Sequence, residues 1–448
     1  MKQSPPPYAL ARVPRYTSYP TALQFSDAVG SDRHKAWLAG LGAGDRLSLY
    51  IHVPFCAQLC WYCGCHTSVP GQYQRAQRYT DCLVREIETV ARHLGPHGGV
   101  SQLHFGGGTP TYLKSAEFMR ILMACSTHIG SLEQAEIAVE VDPRTLDDER
   151  ITLLGDLGVT RVNLGVQDFD EGVQRKINRL QSFDLVTRTV KALRTAGVPN
   201  IGFDLMYGLP GQTVDSVRRS ARQAAALAPD RVAVFGYAHV PWFKKHQALI
   251  RETDLPDEGE RFAQMRAAAE VWTAAGYVPI GFDHFARLGD SLANAARDGV
   301  LARNFQGYTD DGAEAVIGFG ASAISALPGG YVQNEPRIGV YRALTADGGL
   351  ASVRGVAVTA DDRLRRDAIG RLMCRFELDM DALCARHDVP RDILADARDR
   401  LEGYALDGLC RLDGGHVTIP EKARPFVRVV ASSFDAYLSD GTRHSRAV

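Results

Sequence analysis

The sequence predicts an α/β fold, because short β-branched or aromatic segments alternate with longer amphipathic segments through the first half of the 448-residue chain. A strand followed by a helix, repeated several times, indicates a parallel sheet. Six such units favour a barrel over an open doubly wound sheet, so we expect a partial (β/α)6 barrel of the TIM type. Glycine-rich and polar residues follow the predicted strands, and sites in such barrels form at the C-terminal ends of the strands.

The six predicted strands are short segments rich in β-branched and aromatic residues. They are LSLYIHV (47–53), SQLHF (101–105), EIAVEVD (136–142), RVNLGVQ (161–167), IGFDLMYG (201–208) and RVAVFGYAH (231–239). Between them, QRYTDCLVREIETVARHL (77–94) and SFDLVTRTVKALRTAG (182–197) carry apolar residues at three- and four-residue spacing, which predicts helices.

The residues beyond about 350 change in character, and we predict a smaller C-terminal α+β domain there, mainly helical. VTADDRLRRDAIGRLMCRF (358–376) predicts a helix, and CRLDGGHVTIP (410–420) predicts a hairpin that turns at Asp413, Gly414 and Gly415. The predicted organisation is therefore an N-terminal extension over residues 1–40, a catalytic barrel over 41–350 and this domain over 351–448.

The charge balance argues against a strong electrostatic field, because 51 lysines and arginines stand against 52 aspartates and glutamates. We therefore expect no binding to nucleic acid and none to an anionic membrane. The first twenty residues lack the apolar core of a signal peptide, and no apolar run is long enough to span a bilayer. These features favour a soluble, cytoplasmic protein.

Four of the nine cysteines, Cys56, Cys60, Cys63 and Cys65, lie within ten residues. Three thiolates spaced C-x3-C-x2-C can bind three irons of a 4Fe-4S cluster and leave the fourth iron open to a small molecule. Two alternatives are a zinc site that uses all four thiols and an electron-transfer cluster with Cys65 as fourth ligand. We expect the other five cysteines to be buried apolar side chains.

The C-x3-C-x2-C loop, with an aromatic residue before its last cysteine, is typical of the radical S-adenosylmethionine (SAM) enzymes. Ten motifs in unbroken order, from about residue 12 onward, resemble the oxygen-independent coproporphyrinogen III oxidase family of that superfamily. They are PRYTSYPTA (14–22), YIHVPFC (50–56), CGC (63–65), LHFGGGTPTYL (103–113), EVDPR (140–144), GVQDFD (165–170), DLMYGLPGQT (204–213), YAHVP (237–241), RNFQGYT (303–309) and GFGASAIS (318–325).

The resemblance implies a radical SAM barrel in which Cys56, Cys60 and Cys63 bind a 4Fe-4S cluster and SAM is cleaved to a 5′-deoxyadenosyl radical. It also implies two SAM molecules. Their implied ligands are Tyr50, Gly107, Glu140 and Ile324 for the first, and Tyr62, Gly108, Thr109, Gln167, Arg179, Asp204 and Ala238 for the second. Asp204 stands out from the sequence as well, because an acid inside an apolar strand is costly unless it is paired or hydrogen-bonded.

The implied reaction is the oxidative decarboxylation, without oxygen, of two propionates of coproporphyrinogen III to vinyl groups, giving protoporphyrinogen IX in haem biosynthesis. A hydrogen atom is removed rather than a proton, so no general base is expected. We expect a monomer that receives electrons from a reductant such as flavodoxin or ferredoxin. The candidates for contacts to the substrate carboxylates are Arg15, Tyr16, Tyr19, His52, Arg303 and Gln306.

Three other functions are compatible with parts of the sequence. A haem chaperone of the same superfamily keeps the cysteine loop but generally lacks the PRYTSYPTA opening and Cys65, so both features favour the enzyme. A related radical SAM enzyme that opens haem is the second alternative, and haem binding by the purified protein would discriminate it. A DNA-binding role for the C-terminal domain is the third, and the matched acids and bases of that domain argue against it.

Overall fold

The computed structural model describes residues 7–438, which form two compact units. Unit I comprises residues 24–204 and 311–358, and unit II comprises the described residues 7–23, 205–310 and 359–438. The predicted division of the chain at residues 40 and 350 stays a prediction. The outermost parts of that division, residues 1–6 and 439–448, lie outside the described residues.

The sheet of unit I is built on four parallel strands that pair in chain order. They are β1 (Leu47–Val53), β2 (Val100–Gly107), β3 (Glu136–Val141) and β4 (Arg161–Gln167). On the other side of β1, Ala315–Phe319 pairs with it in parallel. The antiparallel strands Ile324–Leu327, Gly330–Asn334 and Ser352–Ala357 follow in that order. The first four predicted strands are confirmed, with ends that differ by no more than two residues.

The helices of unit I cover the sheet with their apolar sides. The α-helices are Ser31–Ala39, Gln74–Ala91, Ser115–Ala124, Asp148–Asp156, Glu171–Lys176, Phe183–Thr195 and Ile338–Ala346, and Pro110–Tyr112 and Cys125–Ile129 are short helical turns. Helix Gln74–Ala91 buries Leu83 and Ile87 completely, at the four-residue spacing that predicted it. Helix Phe183–Thr195 begins where Ser182 accepts a hydrogen bond from the Leu185 amide.

Two further strands continue the strand-and-helix succession. β5 (Asn200–Tyr207) begins in unit I and ends in unit II, and β6 (Arg231–Gly236) lies in unit II. β6 is three residues shorter than predicted, because Tyr237 leaves the strand and donates its backbone amide to the Tyr207 carbonyl at 2.9 Å. The antiparallel strands His284–Ala286 and Val278–Ile280 extend β6 and were not predicted, since each has only three residues.

Unit II contains the predicted helix and hairpin of the C-terminal part. Its α-helices are Val214–Ala226, Glu258–Ala274, Ser291–Arg297, Ala360–Arg375, Met380–Arg386, Ala395–Leu406 and Val427–Ala431. Its short 3-10 helices include Lys245–Leu249, Glu252–Asp254, Arg391–Leu394, Glu421–Phe426 and Ser432–Phe434. Arg411–Asp413 pairs with His416–Thr418 across two glycines, which confirms the hairpin, and Glu377–Asp379 adds an unpredicted third strand. Ala302–Asn304 and Gly307–Thr309 form a separate two-stranded sheet.

Among the described residues, no helix combines the length and the apolar character that a membrane span needs. The five cysteines outside the loop, Cys82, Cys125, Cys374, Cys384 and Cys410, are all free and buried, as predicted.

Candidate active site

The cysteine loop follows β1 and is held by backbone hydrogen bonds within unit I. The Cys56 amide donates to the Ser68 carbonyl at 3.0 Å, and the Ser68 amide donates to Pro54 at 2.8 Å. In the middle of the loop, the Trp61 amide donates to the Ile177 carbonyl at 3.0 Å. Asn178 donates its side-chain amide to Leu59 at 2.9 Å. The loop is therefore fixed at its base and at its tip by hydrogen bonds to the rest of unit I.

Each of the three thiols of the C-x3-C-x2-C motif has hydrogen-bond donors directed at its sulfur. The hydroxyls of Thr67 and Thr109 lie 3.0 and 3.5 Å from the Cys56 Sγ. The backbone amide of Cys65 lies 3.4 Å from the Cys63 Sγ. Burial raises the pKa of the Cys56 thiol, and the two hydroxyls partly offset that effect. Donors of this kind stabilise thiolates, the form in which cysteine binds iron.

The three thiols fit a cubane cluster better than a single ion. Within the described residues, no three His, Cys, Asp or Glu side chains meet at one point where a single metal ion could sit. A cubane does not need such a point, because each thiolate binds its own iron. Cys65 is the exposed cysteine of the four, and its amide supports Cys63.

Two arginines share the sulfur of Cys60 and a buried carboxylate. Arg144 Nη2 and Arg179 Nη1 each lie 3.4 Å from the Cys60 Sγ. Both also bind Asp142, at 2.6 Å from Arg144 and 3.0 Å from Arg179. Burial alone would raise the pKa of Asp142, yet the two guanidinium groups hold it below its usual range. One carboxylate thus orients two cations toward one cluster ligand.

Arg179 is fixed in place by further contacts. It donates to the Gly165 carbonyl at the end of β4, and its side chain is 7% exposed. Its pKa is raised, because the surrounding Tyr62, Asp142 and Cys60 outweigh the effect of burial. Tyr62 is partly buried beside it, and its pKa is raised well above normal, mainly by burial. Tyr62 and Arg179, both predicted for the second SAM, therefore lie together at the cysteine loop.

The three glycines at the end of β2, Gly106, Gly107 and Gly108, leave no room for side chains. A Cβ on Gly107, whose φ is +110°, would lie 2.6 Å from the imidazole of His52. A Cβ on Gly108 would lie 2.7 Å from the Phe55 carbonyl. Only glycine allows the end of β2 to approach the cysteine loop so closely.

Glu140 projects from β3 toward the same glycines. Its Oε2 accepts a hydrogen bond from the Gly107 amide at 3.2 Å, and its Oε1 lies 3.2 Å from His104 Nε2. Tyr50 stacks on His104 with ring centroids 5.8 Å apart. The structure thus brings together Tyr50, Gly107 and Glu140, three of the four residues predicted for the first SAM.

The fourth residue of that set, Ile324, begins a strand after a tightly held turn. A Cβ on Gly318 would lie 2.6 Å from the Ile324 carbonyl, so glycine is required there. The turn is anchored by the buried Glu86, which accepts hydrogen bonds from the Gly320 amide at 2.7 Å and from Asn334 at 2.6 Å. Burial raises the pKa of Glu86 to about 7 in spite of these donors. The role of Glu86 was not predicted from the sequence. An acid on the apolar face of the predicted helix could have indicated that it is buried and hydrogen-bonded.

Asp204 and Gln167 lie on β5 and at the end of β4. Loss of water around Asp204 raises its pKa to about 7, with a further contribution from Glu140 that Arg179 opposes. Gln167 adopts a left-handed backbone conformation, φ +65°, which costs free energy for a residue that is not glycine. A strained residue at the end of one strand and a carboxyl group with a raised pKa on the next are features of binding sites.

The remaining predicted residues do not all lie in this region of unit I. Ala238 belongs to unit II, where it lines a cavity with Arg15. Tyr16 and Tyr19 are buried in unit II and bind the C-terminal segment, Tyr16 through Asp435 and Tyr19 through the Ala436 amide. They are therefore placed to support the fold.

The other three carboxylate candidates are buried or partly buried. His52 is buried in unit I, where its Nε2 donates to the His66 carbonyl at 2.9 Å and its Nδ1 accepts from Tyr50. Burial lowers its pKa to about 4. Arg303 of unit II packs on the ring of Tyr308 at 4.5 Å. The Gln306 Oε1 is buried without a hydrogen bond to the described residues.

Sequence reasoning missed Asp142 and Arg144 as site residues, although the DPR segment was recognised as a loop after a strand. Their role depends on the Cys60 loop returning to the end of β3, and local sequence does not encode that proximity. Thr67 and His104 were missed for the same reason.

Comparisons with known proteins agree with this geometry. The model of the radical SAM superfamily matches residues 50–224. The oxygen-independent coproporphyrinogen III oxidase of Bradyrhizobium diazoefficiens is 48% identical over 442 residues, 98% of each chain. The Escherichia coli protein of the same name is 40% identical over 96% of this chain and 94% of its own. The solved structure of coproporphyrinogen III oxidase from Escherichia coli, a radical SAM enzyme, matches with a TM-score of 0.91 and 38% identity, covering 96% of this chain and 100% of that one. The predicted partial barrel is thereby confirmed.

Proposed function

The chain belongs to the oxygen-independent coproporphyrinogen III oxidase family of radical SAM enzymes, and on that premise we propose that it converts coproporphyrinogen III to protoporphyrinogen IX. In each of two events a hydrogen atom is removed from the β-carbon of a propionate. The resulting substrate radical passes one electron to a one-electron acceptor and releases CO2, which leaves a vinyl group. The observation that carries the proposal is the set of three thiols, each with donors directed at its sulfur.

The residues at the loop suit a 4Fe-4S cluster bound by Cys56, Cys60 and Cys63. When bound, the reduced cluster and SAM supply the 5′-deoxyadenosyl radical that takes the hydrogen atom. Arg144 and Arg179 donate N–H groups to Cys60, which stabilises negative charge on the sulfur. Cys65 contributes its backbone amide to Cys63 and is not needed as a ligand.

Two SAM molecules are part of the proposal. For the first, Glu140 and the Gly107 backbone offer a carboxylate and a close backbone surface, and Tyr50 offers a ring beside them. Ile324 begins the strand after the Gly320 turn. A carboxylate at this place can accept hydrogen bonds from ribose hydroxyls or from the ammonium group of SAM.

For the second SAM, the proposed ligands are Tyr62, Gly108, Thr109, Gln167, Arg179, Asp204 and Ala238. Arg179 offers a fixed guanidinium suited to a carboxylate, and Asp204 offers an acceptor suited to a ribose or ammonium group. The Thr109 hydroxyl donates a hydrogen bond to the Cys56 sulfur, so a contact between Thr109 and SAM would lie beside the cysteine loop. The strained Gln167 supports a binding role at the end of β4.

We also propose a cytoplasmic monomer that receives electrons from a flavodoxin or a ferredoxin. The part of the proposal that concerns the reductant is supported by the need of the cluster for one-electron reduction.

The test is anaerobic reconstitution with iron and sulfide, followed by incubation with coproporphyrinogen III, SAM and dithionite. We expect products with one and then two vinyl groups in chromatography and mass spectrometry. Unchanged coproporphyrinogen III with a fully loaded cluster would contradict the proposal.

A further inference from the structure

Unit II contains a cavity of about 380 Å³ that combines arginine and aromatic side chains. Its wall is formed by the N-terminal segment, by β6 and the residues after it, by helix Glu258–Ala274 and by the C-terminal segment. The arginines are Arg12, Arg15, Arg261 and Arg428, and the aromatic residues are Tyr207, Phe235, Tyr237, Trp242 and Phe282. Such a lining suits a ligand that is both aromatic and anionic.

The cavity lining contains four arginines and three acids, so its formal charge is positive. Arg428 is 4% exposed, and burial together with Arg15 and Arg303 lowers its pKa to about 10, so it stays charged at neutral pH. Asp283 is the carboxylate that interacts with all three of these arginines. Of these three arginines, Arg15 and Arg428 line the cavity. The other lining acids are Glu252, which is 79% exposed beside His239, and Glu258, at the start of its helix.

The backbone is shaped to give these arginines room. A Cβ on Gly208 would lie 2.0 Å from the Arg261 Nη1, and its φ of +80° also favours glycine. A Cβ on Gly236 would lie 2.8 Å from the Tyr207 hydroxyl and 3.2 Å from the Arg261 Nη2. The Gly236 carbonyl accepts a hydrogen bond from Arg15 Nη2 at 3.3 Å. Two glycines thus permit Arg15 and Arg261 to reach the cavity beside Tyr207.

The inference rests on the proposed function, because that function supplies a ligand with pyrrole rings and four carboxylates. We propose that this cavity binds one side of the tetrapyrrole through Arg15, Arg261 and Arg428, and that it holds the two propionates that remain in the product. The volume is near the lower end of the range of about 300–1,000 Å³ for ligand pockets, which suits part of a tetrapyrrole. Asp283 is compatible with this ligand, because pyrrole N–H groups are donors to a carboxylate.

The assignment to the retained propionates follows from the chemistry. A guanidinium stabilises a carboxylate in its charged form, which opposes its departure as neutral CO2. A cluster of arginines therefore hinders the decarboxylation of a propionate that must react. The same cluster favours binding of a propionate that only anchors the ring. Binding of this kind acts equally on the ground state and the transition state, so it affects KM and leaves kcat largely unchanged.

The test uses the reconstituted holoenzyme with coproporphyrinogen III under anaerobic steady-state conditions. Arg15→Gln and Arg428→Gln are each expected to raise KM about tenfold or more with kcat changed less than threefold. Arg251→Gln is the matched control, because Arg251 lies outside the cavity lining and pairs with Asp254. It should keep the wild-type KM. Circular dichroism and iron content check the fold, and if Arg428→Gln does not fold, the exposed Arg15 decides the matter.

The outcomes separate this inference from the proposed function. Wild-type enzyme that forms vinyl product, with KM of both arginine variants within twofold of wild type, would overturn the inference alone. A kcat that falls as far as kcat/KM would also overturn it, because the arginines would then act on the reacting propionate. Wild-type enzyme that forms no vinyl product would overturn the proposed function itself. A second probe is coproporphyrin III, which should bind to the wild type and lose affinity in both variants, whereas its tetramethyl ester should bind all forms equally weakly.

Discussion

Arg179 Nη1 lies 3.4 Å from the sulfur of Cys60, so a buried cation is in hydrogen-bond contact with a proposed cluster ligand. The same guanidinium is held by Asp142 and by the Gly165 carbonyl. The side chain proposed for the second SAM therefore also contacts the cluster loop. Changes at Arg179 should consequently affect both the cluster and SAM binding.

The cysteine motif gives the first prediction. Serine at Cys56, Cys60 or Cys63 should abolish the visible iron–sulfur absorption after anaerobic reconstitution, because each removes one thiolate ligand. Cys65→Ser should retain it, because the contact of Cys65 to Cys63 is made by the backbone amide. Iron and sulfide content per chain are the measurements. Loss of iron from Cys65→Ser as complete as from the other three would show that the cluster has four cysteine ligands.

Arg144 gives a second prediction, concerning the midpoint potential of the cluster. Arg144→Gln removes a charged donor from Cys60 and one of the two cations beside Asp142, so the reduced cluster loses stabilisation. A net loss of about 0.5–1.5 kcal/mol corresponds to a potential lower by about 20–60 mV for one electron. Anaerobic redox titration followed by electron paramagnetic resonance measures it. Arg120→Gln, at an exposed ion pair with Asp81, is the control and should leave the potential unchanged. A midpoint potential of Arg144→Gln equal to that of the wild type would argue against a hydrogen bond from Arg144 to the Cys60 sulfur.

Glu140 and Glu136 lie on the same strand and allow a matched comparison of SAM affinity. Glu140→Gln replaces a charged acceptor with a neutral amide, which weakens the hydrogen bonds that residue 140 accepts from the Gly107 amide and from SAM. The dissociation constant of SAM should therefore rise about tenfold. Glu136, at the start of the strand, pairs with Arg161 and Gln102, so Glu136→Gln should leave SAM affinity near wild type. The measurement is equilibrium binding of SAM to each variant after its cluster has been reconstituted. Equal effects of the two variants would indicate a general effect on the strand instead of a SAM contact.

Asp204 gives a prediction for stability against pH. Its pKa in the folded protein is about 7, raised from the ordinary value of 3.8, so the folded state binds its proton more tightly than the unfolded state. The contribution of Asp204 to stability is therefore complete below about pH 4 and is lost as pH rises through about 7. Asparagine does not ionise, so Asp204→Asn should gain about 1–3 kcal/mol over wild type between pH 5 and pH 8.

Thermal unfolding of the protein without SAM measures this gain. We expect the melting temperature of Asp204→Asn minus that of wild type to increase by roughly 1–3 °C between pH 5 and pH 8. The exposed Asp27→Asn is the control and should show no such trend. A difference that is constant with pH would mean that Asp204 is ionised as readily in the folded protein as in the unfolded chain.

The parts of the fold that the sequence could predict are those whose signal is local. β1 to β4 are predicted because apolar runs such as LSLYIHV are buried on both faces, and helix Gln74–Ala91 because Leu83 and Ile87 recur on one face. The strands Val278–Ile280 and His284–Ala286 are too short for a pattern to be recognised.

The residues of the candidate site could likewise be predicted only where the signal is local in sequence. Cys56, Cys60 and Cys63 are recognised from their spacing, and most of the SAM ligands only from a resemblance in motifs. The contacts of Arg144 and Arg179 to Cys60 join the segments that follow β3 and helix Glu171–Lys176 to the cysteine loop, across up to 119 residues. Such contacts arise from tertiary packing, so a reading of separate motifs does not reveal them. Glu86 is similar, since it reaches the Gly320 turn across 234 residues.

The proposed reaction is tested most directly by counting vinyl groups and 5′-deoxyadenosine together during anaerobic turnover of coproporphyrinogen III. We expect the wild-type enzyme to form both, and Asp204→Asn, with a full cluster, to form few vinyl groups because it binds the second SAM poorly. Deoxyadenosine formed by the wild type without any vinyl product would contradict the proposed reaction and would indicate a haem chaperone or another substrate.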